Sequence, residues 1–233
     1  DRIQQLLSAA VADRAFPGAV CMIARRGRIV VSMAQGRASY AEDAAPVRVD
    51  TLYDLASLTK VCATMPTVLS LVASGQLRLD DPVQTWLPAF VGKGKEAVTL
   101  RHLLAHTAGL PAWVAFHKTL RGKEAIVAAA CQEPLVGEPG QKVVYSDLGL
   151  ILTMAVVEAV TKAPFPQVVQ ERVWSPLGMT GAIFNVGNGS ALESPPTEAS
   201  SSRGGLVQGY VHDENALDRK STRLNSSHAN ISY

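Results

Sequence analysis

The tetrapeptide Ser57-Leu58-Thr59-Lys60 follows Thr51-Leu52-Tyr53-Asp54-Leu55-Ala56 and precedes an apolar run from Val61 to Ala73 that ends at Ser74-Gly75. This pattern predicts a helix with Ser57 in its first turn. Residues three apart lie on the same face of a helix, so the Lys60 amine can reach the Ser57 hydroxyl. A serine hydroxyl is a poor nucleophile until a neighbouring base takes its proton. The pair is therefore typical of a site for acyl transfer.

The same four residues have a second interpretation that involves no chemistry. Ser57 could cap the helix, and Lys60 could be a solvated residue on its surface. A short pattern of common residue types arises readily by chance, so the surrounding sequence has to decide between the two.

The composition is that of an ordinary globular chain. Of the 233 residues, 47% are hydrophobic and 18% are charged, which supplies ample material for a core. The net charge of +2 gives no electrostatic case for binding nucleic acid, and no apolar run reaches membrane-spanning length without interruption. Cys21, Cys62 and Cys131 lie in apolar surroundings, so buried free thiols are favoured over disulfides or metal ligands.

The chain before the serine helix predicts a helix and a β-hairpin. Residues 2–15 have helical periodicity, and strands are expected at 19–24 and 28–35 around a short turn. A polar connection over 36–50 leads to the serine helix. Pro66 is expected to kink that helix because it cannot donate a hydrogen bond to the carbonyl four residues back.

After Gly75 the pattern is mainly helical. Asp81-Pro82 is expected to begin one helix, with the proline at its first helical position. The other predicted elements are helices over 99–104 (capped by Thr99), 123–131, 146–161 and 166–173, a turn at 137–140 and a loop at 185–203.

Tyr145-Ser146-Asp147 lies at the boundary between a turn and a strongly apolar helix. A phenol projecting into a cleft near a lysine ammonium can serve as a general base. The alternative is that Tyr145 is a half-buried aromatic residue beside a helix-capping Ser-Asp pair.

Taken together, these stretches resemble the serine β-lactamase-like family, which includes class C β-lactamases, D-alanyl-D-alanine carboxypeptidases and β-lactamase-like esterases. The resemblance runs from about Phe16 to Leu217, with its landmarks in the family order. They are Pro17-Gly18-Ala19-Val20, residues 52–60, Leu79-Asp80-Asp81-Pro82-Val83, residues 101–110 (RHLLAHTAGL), Tyr145-Ser146-Asp147-Leu148-Gly149 and Pro176-Leu177-Gly178-Met179.

The resemblance implies an α+β fold, in which helices flank an antiparallel sheet and a mostly helical domain is inserted between sheet strands. It implies that Ser57 is the acylated nucleophile, that Lys60 is its proton partner, and that Tyr145 is the base that also protonates the leaving group. Asp147 would contact substrate. The implied substrate is a small-molecule ester, a β-lactam or a peptidoglycan-type peptide, cleaved without metal or organic cofactor. The resemblance also favours a periplasmic or secreted location.

Two positions depart from the family pattern. Asp147 stands where class C β-lactamases usually have Asn, and a carboxylate can accept from Lys60 but cannot donate to a substrate carbonyl. This favours ester or peptide substrates. The family's third motif, a His/Lys-x-Gly strand, is absent, although residues 212–217 (HDENAL) resemble the segment that leads into it. We therefore expect the returning strands and the closing helix to be missing.

The expected organisation has four parts. Residues 1–50 carry the first helix and hairpin, 51–181 are the mostly helical region with both motifs, 182–217 form a loop returning towards the sheet, and 218–233 are a disordered or foreign tail. A non-catalytic penicillin-binding-like module, or an inactive truncated fragment of the hydrolase, is the alternative to an active enzyme.

Two groups of residues could suggest a metal site. His102 and His106 have the i, i+4 spacing of a zinc pair, but no glutamate lies between them and no third ligand is evident. His212, Asp213 and Glu214 are also adjacent, and a hydrogen-bonded loop is favoured there. The sequence predicts no metal.

Overall fold

The computed structural model describes residues 2–184. Within this range the chain divides into two compact units, residues 2–55 and residues 56–184. The predicted loop at 185–203, the segment 212–217 and the predicted tail at 218–233 lie outside the described residues, so those interpretations stay predictions.

The first unit is a helix and a two-stranded antiparallel hairpin, as predicted. Helix α1 covers Arg2–Ala12 and packs against the second strand. Strands β1 (Gly18–Arg25) and β2 (Arg28–Gly36) pair from Gly18 opposite Gly36 to Arg25 opposite Arg28. The two turn residues, Arg26 and Gly27, both have positive φ (50° and 74°), which is the geometry that matches the twist of a tight hairpin.

Helix α1 ends three residues earlier than the periodicity predicts. Arg14 has a φ of 55°, its N–H donates to the Val11 carbonyl at 3.1 Å, and the Ala15 N–H donates to the Ala10 carbonyl at 2.9 Å. These paired bonds around a left-handed residue form a Schellman motif, which satisfies the last carbonyls and stops the helix.

The second unit is helical. Its α-helices are α2 (Met65–Ala73), α3 (Leu100–Leu104), α4 (Lys123–Gln132), α5 (Asp147–Thr161) and α6 (Phe165–Val169); 3₁₀ turns cover Ala56–Leu58, Val83–Thr85, Lys95–Ala97 and Phe116–Lys118, and π-helical turns cover Lys60–Thr64 and Gln170–Trp174.

Helix α5 lies at the centre of the second unit. Ten of its 15 residues are buried, and α3, α4 and α6 pack against it. A helix that is apolar on nearly every side belongs in a core. The predicted helix at 146–161 is thus present, with Ser146 in the N-cap position rather than inside the helix.

The helix that follows Ser57 is distorted before Pro66, where the sequence predicted a kink. Residues Lys60–Thr64 form a π-helical turn, and α2 begins only at Met65. Because Pro66 has no N–H, the Cys62 carbonyl lacks its usual helical donor. The Trp174 indole N–H donates to that carbonyl at 3.1 Å, so a side chain from 112 residues further along the chain satisfies it.

Residues 81–104 contain one confirmed prediction and one error. Thr99 caps α3, and its side chain and that of His102 complete a capping box. Pro82, by contrast, is the N-cap residue of a 3₁₀ turn at Val83–Thr85, not the first residue of an α-helix. The Val83 N–H donates to the Val98 carbonyl at 2.9 Å, which ties the start of this turn to the residues just before α3.

Lys95 is fully buried, which the sequence did not indicate. Its amine donates to the Cys131 carbonyl in the last turn of α4 at 2.6 Å and lies 4.8 Å from the centre of the Phe90 ring. Burial lowers the pKa of Lys95 and raises the pKa of the Cys131 thiol. A cation at a helix C-terminus satisfies carbonyls that have no helical donor. Cys21, Cys62 and Cys131 are all free, as predicted, although only Cys131 is buried.

Two helical stretches meet the length and composition of a membrane span. One is Ala56–Ala73, with 18 residues, and the other is Asp147–Thr161 taken with Phe165–Trp174, which is bent by 79°. The first stretch contains Ser57, Thr59 and Lys60, and the second is two helices joined at a bend, so the prediction that no apolar run reaches spanning length without interruption is not contradicted. The core helices of soluble proteins pass the same test, so the absence of a membrane span stays a prediction.

Candidate active site

Ser57 lies in a short 3₁₀ turn, Ala56–Leu58, directly before the π-helical turn that carries Lys60. Ala56 has a φ of 43°, which is uncommon for a residue with a Cβ atom. Backbone conformations of this kind cost energy and concentrate at functional sites. The first-turn position predicted for Ser57 is confirmed, but the regular α-helix starts only eight residues later.

Two side chains converge on the Ser57 hydroxyl oxygen. The Lys60 amine lies 3.4 Å from Ser57 Oγ, and the Tyr145 hydroxyl lies 3.0 Å from the same atom. A hydroxyl oxygen has two lone pairs and can accept from both. The serine proton can pass to the phenol oxygen or to the amine as soon as that group has lost its own proton.

Asp147 compensates the charge of Lys60. The Lys60 amine is 3.2 Å from Asp147 Oδ1, and the two side chains are only 13% and 12% exposed. The same amine lies 4.9 Å from the centre of the Tyr145 ring. Lys60 is therefore surrounded by the serine hydroxyl, a carboxylate and an aromatic face, with little room for water.

Residues 106–112 hold the segment that carries Tyr145 and Asp147. The Val144 N–H donates to the His106 carbonyl at 2.8 Å, and the Asp147 N–H donates to the Ala112 carbonyl at 3.0 Å. The Ser146 hydroxyl donates to the Pro111 carbonyl at 2.6 Å. These bonds fix the entry to α5, so the positions of both site side chains depend on the neighbouring segment.

Gly109 allows residues 106–112 to approach the turn at residues 136–138 closely. Its φ is 76°, and a Cβ atom built on it would lie 2.1 Å from the Gly137 carbonyl oxygen. The Val136 N–H donates to the Gly109 carbonyl at 2.8 Å. Any side chain at this position would push the segments apart, and the close backbone approach explains the glycine.

His106 contacts the site from the other side of Tyr145. Its ring centre lies 4.5 Å from that of Tyr145 at an angle of 41°, and its Nδ1 accepts from the Ser146 N–H at 3.1 Å. Burial and the Lys60 cation lower the pKa of His106, and the Asp147 carboxylate opposes them. The ring is therefore neutral at pH 7, because an acceptor at Nδ1 carries no proton.

Both histidines of the pair use one ring nitrogen in a hydrogen bond to the backbone. His102 and His106 each use Nδ1 in a bond to a backbone N–H, those of Thr99 (3.2 Å) and Ser146 (3.1 Å). Among residues 2–184 there is no group of three or more His, Cys, Asp or Glu side chains placed to hold a metal ion. The prediction of a metal-free enzyme stays a prediction.

The structure brings together all four residues named from the sequence, Ser57, Lys60, Tyr145 and Asp147, within the second unit. Their catalytic and binding roles remain predictions, because geometry alone does not establish turnover. His106 was considered only as a metal ligand. Its contact with Tyr145 had no local signal beyond its place in the run 101–110.

Comparison with known proteins identifies the family. Residues 3–213 match the family model described as Beta-lactamase. The chain belongs to the beta-lactamase family. The resemblance inferred from the sequence is thus confirmed, and so is the expected fold class of beta-lactamases and penicillin-binding proteins, whose solved structures are its structural neighbours.

Proteins named as an esterase and as putative carboxypeptidases are similar to this chain. Esterase EstB from Burkholderia gladioli is 38% identical to this chain, over 78% of the chain and 51% of EstB. A putative D-alanyl-D-alanine carboxypeptidase from Escherichia coli strain K12 is 30% identical, over 88% of the chain and 55% of that protein. The structure titled "EstCE1, a hydrolase with promiscuous acyltransferase activity" has a TM-score of 0.68 and 32% identity, over 76% of this chain and 51% of that chain. This beta-lactamase family chain spans about half the length of the proteins it matches.

Proposed function

We propose that the protein is a serine hydrolase that cleaves an ester or a D-amino-acid peptide bond, or a β-lactam, through a covalent acyl-serine. The observation that carries the proposal is the convergence of Lys60 and Tyr145 on Ser57 Oγ, at 3.4 Å and 3.0 Å, with Asp147 beside Lys60. A nucleophile, two groups able to exchange its proton and a compensating charge are the parts that acyl transfer needs.

In the proposed acylation, Ser57 Oγ attacks the substrate carbonyl carbon and forms the new C–O bond. The hydroxyl proton passes to the deprotonated Tyr145 oxygen, while the Lys60 cation stabilises the negative charge on that oxygen before transfer. As the tetrahedral intermediate collapses, Tyr145 returns a proton to the leaving alcohol or amine, and the acyl group stays on Ser57. Water then attacks the acyl-serine and gives up its proton to Tyr145. As the second tetrahedral intermediate collapses, the C–O bond to Ser57 breaks, Tyr145 returns the proton to Ser57 Oγ, and the acid is released.

Asp147 favours ester and peptide substrates in this proposal. An ionised carboxylate only accepts hydrogen bonds, so it can hold Lys60 but cannot donate to a substrate carbonyl. Its 3.2 Å contact with Lys60 and its burial leave it committed to that role. The similarity to proteins named as an esterase and as D-alanyl-D-alanine carboxypeptidases supports the same two substrate classes.

Covalent labelling of the nucleophile tests the proposal. A fluorophosphonate should add one label per chain, detected by intact-protein mass spectrometry, and Ser57→Ala should abolish the label. Ser74→Ala is the matched control, since Ser74 is an exposed serine at the end of the same helical stretch. Its loss should leave labelling unchanged.

Two results would contradict the proposal. A label that persists in Ser57→Ala would mean that another residue is the nucleophile. No label on the unmodified chain would favour the non-catalytic binding module. If the label appears, a nitrophenyl ester, a D-alanyl-D-alanine peptide and a penicillin would then be compared as acyl donors on the same protein.

A further inference from the structure

His106 makes three contacts that the proposed mechanism does not use. Its ring packs on Tyr145 at 4.5 Å between centres, its Nδ1 accepts the Ser146 N–H at 3.1 Å, and its carbonyl accepts the Val144 N–H at 2.8 Å. The residues it holds therefore lie on both sides of Tyr145 in the chain. His106 therefore holds the backbone on either side of the phenol that contacts Ser57, in addition to the bonds that Pro111 and Ala112 accept.

We propose that His106 is a positioning residue that holds Tyr145 against Ser57 only while its imidazole is neutral, so that protonation of His106 disables the site. The inference rests on the proposed function of Ser57, Lys60 and Tyr145. The inference gives His106 a role, and the site a dependence on pH, that are not part of the mechanism proposed for Ser57, Lys60 and Tyr145.

The hydrogen-bonding pattern requires the neutral ring. Both nitrogens of an imidazolium are donors, so protonation at Nδ1 would place one N–H against the Ser146 N–H. The contact would change from an attraction to a repulsion. The Ser146 backbone joins Tyr145 to Asp147, so its displacement moves the phenol away from Ser57 and the carboxylate away from Lys60.

Burial and the Lys60 cation also favour the neutral ring. Lys60 and Asp147 are the ionised groups that interact with the ring, and Tyr145 contributes its aromatic face. A protonated His106 would be a second cation beside Lys60, which is unfavourable. Asp147 is already paired with Lys60, so it offsets only part of the cost of protonating the ring. Burial and Lys60 lower the pKa of His106, and this keeps the neutral ring dominant at pH 7.

The backbone at His106 suggests the variant that separates its roles. Its φ is 57°, a left-handed conformation that Asn tolerates better than most residues. In His106→Asn the side-chain oxygen can replace Nδ1 as acceptor for the Ser146 N–H, but it does not titrate. In His106→Phe the aromatic contact with Tyr145 is kept and the acceptor is lost.

The test measures the rate at which a fluorophosphonate labels Ser57 between pH 5 and pH 9. In the unmodified chain the rate should fall on the acid side together with the titration of His106. His106→Asn should keep the rate at pH 8 within about threefold and lose the part of the acid limb that follows the His106 titration. His106→Phe should be slower by about tenfold at every pH, the factor that corresponds to one net hydrogen bond. His102→Asn, which removes a histidine that does not contact Tyr145, should leave the profile unchanged.

NMR of the unmodified, ¹⁵N-labelled chain gives a measurement that does not depend on activity or on a variant folding. The His106 Nδ1 resonance should be that of an unprotonated nitrogen at pH 7.5, and the Ser146 amide should shift with the His106 titration. The inference would be overturned by a protonated Nδ1 at pH 7.5, by a Ser146 amide that does not shift with the titration, or by an acid limb in His106→Asn identical to that of the unmodified chain. If Ser57 is never labelled, the proposed function fails, and the NMR titration still decides the role of His106.

Discussion

Removing the carboxylate of Asp147 should destabilise the second unit strongly. The Lys60 amine and Asp147 Oδ1 are 3.2 Å apart, and both side chains are nearly seven-eighths buried. Two unit charges at that distance interact by about 5 kcal/mol at an effective dielectric constant of ~20. Asp147→Ala leaves Lys60 as a buried cation without its counter-ion, a change that typically costs about 3–5 kcal/mol.

Other interactions set where in that range the loss should fall. Lys60 keeps its contacts with Ser57 and Tyr145, and some water reaches the pair, which lowers the cost. Asp147 is also the first residue of α5, where a carboxylate gains about 0.3–1 kcal/mol from the helix N-terminus. We expect the free energy of unfolding to fall by ~3 kcal/mol for Asp147→Ala. Asp147→Asn keeps an acceptor for Lys60 and should lose about 1–2 kcal/mol.

Urea unfolding followed by circular dichroism measures these losses, and Asp80→Ala is the control. The Asp80 carboxylate lies 2.8 Å from the Arg101 guanidinium, which is closer than Asp147 lies to Lys60. The side chains of Asp80 and Arg101 are, however, both more than half exposed. Exposed ion pairs contribute little because water screens them, so Asp80→Ala should leave the unfolding midpoint almost unchanged. If Asp80→Ala and Asp147→Ala lowered the free energy of unfolding equally, the claim that burial strengthens the Lys60–Asp147 ion pair would be refuted.

Three further predictions concern packing, pH and metal. Trp174→Phe should lower the free energy of unfolding by about 1–3 kcal/mol, measured by urea unfolding, because the Cys62 carbonyl loses its donor; an unchanged midpoint would mean that water replaces the indole. Since the pKa of folded His106 lies below its unfolded value of about 6.5, the unfolded chain takes up the proton first on acidification. The contribution of His106 to stability should therefore be complete above pH 6.5 and decline below it, by at most ~1.4 kcal/mol per pH unit, and His106→Asn should remove this part of the slope in unfolding experiments. Dialysis against a strong chelator should leave the rate of Ser57 labelling unchanged, and a loss that zinc restores would contradict a metal-free site.

The parts of the structure that could be predicted depend on neighbours in the chain. The i, i+3 spacing placed Lys60 beside Ser57, and Thr99 capped α3 through the residue three positions on. The hairpin followed from two β-rich runs and an Arg26-Gly27 turn with the right backbone angles. Each of these features rests on steric or hydrogen-bonding preferences within a few residues.

The parts that could not be predicted join distant segments. Tyr145 and Ser57 are 88 residues apart, and only the family resemblance suggested that they meet. Nothing in the sequence indicated that Lys95 is buried, since most lysines lie at the surface and the carbonyl that accepts its hydrogen bond lies 36 residues on, in Cys131. His106 was considered as a metal ligand because its spacing from His102 was visible in the sequence, while its bond to the Ser146 N–H was not.

A double-mutant cycle on the activation of Ser57 tests the central claim most directly. The second-order rate of fluorophosphonate labelling would be measured for the unmodified chain, Lys60→Ala, Tyr145→Phe and the double variant. If the two residues move one proton together, each single variant should be slower by about 10²–10⁴-fold, and the double variant should be hardly slower than either. A double variant that is slower by the product of the two single effects would contradict the account, since Lys60 and Tyr145 would then act on Ser57 independently.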